Sequence, residues 1–142
     1  MLGIPLLSLV MRLFNRQSES RADERQLRRE LLAHQRRQLI HQHIPDVYQA
    51  RETFGARFEE LLALFVAHDP AGVGATANSN AYYPELTRTV LYQLARKAPT
   101  DEQLPDLLRQ ELGLWFGAGT VYAEELAELT RAIGHWRLTA GL

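Results

Sequence analysis

Apolar residues recur at three- and four-residue spacing through most of the chain. Val47, Ala50, Phe54, Phe58, Leu61, Leu62 and Phe65 fall on one stripe of a helical wheel, the strongest core signal in the sequence. Pro45 suits the first turn of that helix, where its missing N–H has no intrahelical role, and Asp69-Pro70 ends it. A second stripe, Leu86, Val90 and Leu94, lies between Pro84, a favourable first-turn residue, and Pro99. The third is Leu104, Leu107, Leu108, Leu112 and Trp115. Thr100 and Gln103 precede it in capping-box spacing, Gly117 and Gly119 follow it as helix stops, and Pro105 should kink its first turn or delay its start. The fourth is Tyr122, Leu126, Leu129, Ile133 and Trp136, with Thr120 placed to cap it. Nothing alternates with period two, and the dipeptides that mark hairpins are absent. The pattern predicts an all-α fold in which residues 45–142 form an antiparallel four-helix bundle.

Two further segments precede the bundle. Ser20 can cap a helix running to about His43, giving a 20–44 unit with Arg21, Arg25, Arg28, Arg29 and Arg36 on one face and Leu32 and Leu39 among them. Leu27, Leu31 and His34 form a neighbouring thin apolar strip. Residues 1–19 are a short apolar segment followed by a polar turn, and the first fourteen residues contain a single charge. That run is too short for the roughly 20 residues a spanning helix needs, has no basic stretch before it and no small-residue cleavage signal after it. Its expected role is docking, on another protein or on this chain's own core, through Leu6, Leu9, Leu13 and Phe14. The alternative is an interfacial anchor, with Arg12, Arg16 and Arg21 meeting anionic headgroups.

Composition narrows the function classes. A chain of 142 residues with 46% hydrophobic and 23% charged residues has the profile of one folded domain rather than a disordered tail. The formal net charge of −1 hides an asymmetry: residues 1–57 hold ten Arg against six acids, whereas 58–142 hold six Lys and Arg against eleven acids. An anionic partner for the first part is therefore expected, unless the two parts neutralise each other. The absence of cysteine removes disulfides, thiolate catalysis and Cys-based zinc sites, and permits a cytoplasmic location, with membrane association as its variant.

Candidate chemistry is sparse. His41, His43 and Asp46 are metal-ligand types, but residues two apart point to different sides of a helix, so no metal site is expected. His68-Asp69 has no Ser or Cys nucleophile beside it. Asp69 is expected to accept N–H groups of the following turn. The Gly72-Val73-Gly74 turn lacks the preceding strand and the Lys-Ser/Thr ending of a phosphate loop, and Glu124, Glu125 and Glu128 read as a solvated face. No catalytic residue and no cofactor are predicted. The one place where irregular backbone and polar groups could converge is the 69–85 loop, with Asp69, Asn78, Asn80, Tyr82 and Glu85 as candidates; Glu85 is expected in a helix first turn, favoured by the dipole.

From Phe65 onward the order is apolar helix, Asp69-Pro70, Gly-containing loop, Tyr82 with Glu85 three residues on, a helix ending in a Pro/Thr turn, then a Leu-rich helix to Trp115-Phe116. This resembles the YugE-like family of small bacterial helical proteins of unknown function, over roughly residues 58–136. The loop carrying Asn78 and Asn80 is longer than that family's compact form. The resemblance implies a bacterial four-helix domain and transfers no catalytic residue. The expected function is a non-enzymatic protein-binding module, of the kind used as immunity, antitoxin or defence-system accessory proteins. A peripheral membrane protein is the alternative, and a small-ligand or enzymatic domain built on the 69–85 loop is third. Among partners for the Arg face, an acidic or apolar protein surface ranks first and an anionic membrane second. Nucleic acid ranks third, because the chain is slightly acidic and shows neither a helix-turn-helix nor an aromatic stacking platform.

Overall fold

The computed structural model describes residues 20–72, 79–117, 119 and 121–142. Leu6, Leu9, Leu13, Phe14, Asn78 and the proposed cap Thr120 lie outside the described residues, as does the side chain of Asn80. The described residues form six helices: α1 (Ser20–Ile40), α2 (Val47–Phe54), α3 (Ala56–His68), α4 (Ser79–Lys97), α5 (Leu104–Phe116) and α6 (Ala123–Ala140). No strand occurs among them, in agreement with the all-α expectation. The chain divides into two compact units at Leu39/Ile40.

In the first unit, α1 stops at Ile40, three residues short of the expected end, and residues 41–43 form a turn. Its five face arginines are exposed, and so are Leu32 and Leu39, at 63% and 69%. Leu27 and His34 of the thin strip are half-buried and Leu31 is exposed.

In the second unit, α3 packs on α4 and α6, α5 packs on the same two helices, and α2 lies against α3 and α4. The core is drawn from every one of these helices: Phe54 from α2, Phe58, Leu61 and Phe65 from α3, Leu86, Val90 and Leu94 from α4, Leu104, Leu108 and Leu112 from α5, and Leu129 and Ile133 from α6. The stripes read from the sequence are thus the buried faces. Tyr122 is the exception, since it precedes α6 with extended backbone and its side chain is exposed.

Two helix boundaries of the second unit differ from expectation and a third agrees with it, each for a local reason. The 45–68 helix is two helices, because Gly55 adopts φ 56° and ψ −123° and ends the first ladder there. Exposed Arg51 and Glu59 pair across this break at 2.9 Å, while the Arg51 guanidinium lies 4.9 Å from the Phe58 ring centroid. A Cβ at Gly55 would meet nothing within 4 Å, so the cost of Gly55→Ala is conformational alone. We expect a loss of about 1–3 kcal/mol in denaturant unfolding, and an unchanged midpoint would show that the break can move at no cost. Second, α4 starts at Ser79 and contains Pro84 in its second turn. One ladder bond is lost there; burial of Tyr83 at 1% exposure, with its ring on Phe65 and Phe116, compensates for it. Third, α5 begins at Leu104 with Pro105 in its first turn, and residues 101–103 form a tighter turn closed by Gln103 N–H donating to the Thr100 carbonyl at 3.0 Å. Thr100 and Gln103 form the reciprocal capping box in full: Thr100 N–H donates to Gln103 Oε1 and Gln103 N–H to Thr100 Oγ1.

Candidate functional site

Of the expected 69–85 site, the described residues Asp69, Tyr82 and Glu85 each meet a different partner. Asp69 ends α3 in the left-handed conformation, with its N–H on the Phe65 carbonyl. Its carboxylate accepts from the Tyr83 hydroxyl at 2.5 Å rather than standing as a cap for the turn alone, and the N–H of Ala71 donates to that same hydroxyl oxygen. Burial, reinforced by the Asp69 hydrogen bond, pushes the Tyr83 hydroxyl far above its ordinary range, so it remains a neutral donor. Tyr82 turns its ring edge to Phe116, with centroids 5.8 Å apart. Glu85 is not in a first turn, because α4 starts six residues earlier; it pairs with Arg88, one turn on. Arg88 in turn donates to the carbonyls of Ile44 and Pro45 and ties the turn before α2 to α4.

His41, His43 and Asp46 likewise go separate ways. Asp46 caps α2, accepting from Gln49 N–H at 2.8 Å. His43 is exposed and contacts Gln42 through its ring nitrogen, while its carbonyl accepts from Arg96. His41 alone turns inward, to 5% exposure.

His41 there meets Glu111, 3% exposed on the inner face of α5, in a polar centre that sequence reasoning missed. His41 Nε2 lies 3.2 and 3.0 Å from the two carboxylate oxygens. A carboxylate only accepts, so Nε2 carries the proton and donates. Gln93 donates to Oε1 at 2.5 Å and Thr89 to Oε2 at 3.0 Å, the Thr89 hydroxyl being shared with the Leu86 carbonyl. Burial alone would raise the Glu111 carboxyl; the His41 hydrogen bond and charge, with the Gln93 and Thr89 hydrogen bonds, outweigh it and hold the group below its ordinary value. The Trp115 ring stacks on His41 at 5.7 Å between centroids, 9° from parallel. His41 Nδ1 is buried and has no hydrogen-bond partner among the described residues.

The available signal was position. Glu111 sits three residues after Leu108 and four before Trp115, inside the stripe taken as apolar, and Thr89 and Gln93 occupy the matching stripe of α4 beside Leu86 and Val90. Polar residues facing each other at core positions of adjacent helices mark a buried network.

This centre resembles the base-and-orienter half of a catalytic constellation, with Glu111 fixing the tautomer of His41. No nucleophile is in contact with His41 among the described residues, and its immediate chemistry is to anchor the 41–44 turn on α4 and α5. Surface hollows occur among the described residues. One of about 170 Å³ adjoins His41 between that turn and the end of α4. Another, about 360 Å³ between the start of α5 and the second half of α6, has only exposed charges, Asp101, Arg131 and His135, on its wall. No group of three or more metal-ligating side chains occurs among the described residues, and no helix among them is long and apolar enough to cross a membrane. A scan against protein-family models gives no match, and searches of the curated proteins and of solved structures give none either.

Proposed function

We propose that this chain is a non-enzymatic protein-binding module that presents α1 to an acidic partner. The observation that carries this is the exposure, on one helical stripe, of Arg21, Arg25, Arg28, Arg29 and Arg36 together with Leu32 and Leu39. Guanidinium groups around exposed leucines match a partner surface with carboxylates at its rim and an apolar centre. The buried residues of the second unit are committed to packing and to the Glu111 network, which leaves recognition to the surface. In this reading the second unit is an antiparallel four-helix bundle, a scaffold of the kind expected from the YugE-like resemblance. An immunity, antitoxin or defence-system accessory role fits a small domain of this sort.

The test is a pull-down from the native host with the full chain, compared with Arg25→Glu/Arg28→Glu/Arg29→Glu. A stoichiometric acidic partner should be recovered, released by salt, and bound at least about 100-fold more weakly by the variant, because like charges set face to face are strongly repulsive. Equal recovery by the variant would refute the role of α1. If the native chain instead binds phosphatidylglycerol vesicles at low salt and recovers no protein, the face is a membrane contact and the module reading fails.

A further inference from the structure

The hollow beside His41 combines features that a packing defect does not. Its wall holds Ile40 and Ile44 together with His41, His43, Arg96 and Lys97, and no carboxylate lines it. Glu111, the acid behind His41, already accepts from His41, Gln93 and Thr89 and has no capacity to spare for the cations at the mouth. The second observation is independent of that charge. His41 is 5% exposed, and its Nδ1 finds no partner among the described residues, whereas buried polar atoms of native proteins are nearly always hydrogen-bonded. Since Nε2 is fixed by Glu111, only Nδ1 is free to meet a ligand.

Size and polarity select the ligand. About 170 Å³ is below the roughly 300 Å³ at which pockets for drug-sized ligands begin, which excludes a nucleotide. The wall is also two-faced: the isoleucines supply an apolar side, and the Arg96 guanidinium lies 5.1 Å from the centroid of the Tyr92 ring. A bare phosphate would leave the apolar side unused. Arg96 spends one N–H on the His43 carbonyl and keeps the rest of its fork, the geometry suited to a carboxylate.

We propose that this pocket binds a small organic carboxylate, its oxygens held by Arg96 and Lys97, its apolar body against Ile40 and Ile44, and a polar substituent reaching Nδ1 of His41. The experiment is an NMR titration of the full chain with benzoate and, separately, with 4-hydroxybenzoate and inorganic phosphate. Saturable shifts confined to residues 40–44 and 92–97 are expected with both aromatic acids. Lys97→Ala and Arg96→Ala, at exposed positions outside the core, should each weaken binding about tenfold, while Arg109→Ala, paired elsewhere with Asp106, should not. Absence of saturable binding by either acid, equal affinity of Lys97→Ala and Arg96→Ala with the native chain, or tighter binding of phosphate than of either carboxylate would overturn the proposal.

Discussion

Replacing Glu111 by alanine should lower the unfolding free energy by about 3–5 kcal/mol, the scale for removing a buried carboxylate that several buried donors share. Three donors lose their acceptor in that variant: His41 Nε2, Gln93 Nε2 and the Thr89 hydroxyl, which falls back on the Leu86 carbonyl. The loss comes less from the attraction forfeited than from the groups left buried and unmet. That distinction has its own test. His41→Leu/Glu111→Leu removes both polar partners and fills the space, so it should be less damaging than Glu111→Ala by several kcal/mol in denaturant unfolding. A double variant as unstable as the sum of the single ones would mean that the two residues act independently and that the loss does not come from leaving either partner unmet. The pH dependence has a definite sign. The Glu111 carboxyl is held below its ordinary value in the folded chain, while in the unfolded chain it takes a proton near about 4.3. Its stabilisation is therefore complete above that pH and is lost as pH falls through the lower, folded value. The difference between native chain and Glu111→Gln should be largest near neutrality and should shrink below about pH 4.

The helical stripes were legible because burial on a helix leaves a 3.6-residue trace, and Phe58, Leu61, Phe65, Leu86, Val90, Leu94, Leu108, Leu112, Leu129 and Ile133 all obey it. Capping was legible where side chains make it, as at Thr100 and Gln103. Gly55 was hidden because the apolar stripe runs through it unbroken from Val47 to Phe65; a backbone break that preserves the stripe leaves no trace in periodicity. Pro84 misled in the opposite way. A proline marks where a helix can start, yet tertiary contacts of Tyr82 and Tyr83 carried the helix upstream of it. The polar centre was missed because His41 and Glu111 are 70 residues apart, and only their joint burial gives either one meaning. Asp69 was singled out by its place before Pro70, but its partner Tyr83 is the neighbour of the tyrosine that the motif emphasised.

Phe65→Ala is expected to cost about 3–5 kcal/mol, and the loss should reach the 69–72 turn as well as the core. Phe65 is fully buried, with its ring 6.4 Å from that of Tyr83 and 12° from parallel; Tyr83 lies 5.7 Å from Phe116, which also receives the edge of Tyr82. These four rings join the end of α3, the start of α4 and the end of α5. Removing Phe65 takes away the support beneath the Tyr83 ring, and the Tyr83 hydroxyl is what holds both the Asp69 carboxylate and the Ala71 N–H. Tyr83→Phe separates the two contributions: it keeps the ring and deletes the hydroxyl, so it should cost about 1.5–3 kcal/mol, the scale of a hydrogen bond to a charged acceptor. If the ring positions the hydroxyl, the double variant Phe65→Ala/Tyr83→Phe should be less destabilised than the sum of the single ones, because the hydroxyl is already misplaced once Phe65 is gone. Amide exchange at Ala71 and Gly72 reads the same coupling locally, with faster exchange in both single variants. Strict additivity, with Ala71 exchange unchanged in Phe65→Ala, would show that the turn is held independently of the aromatic layer and that Asp69 keeps its place without it.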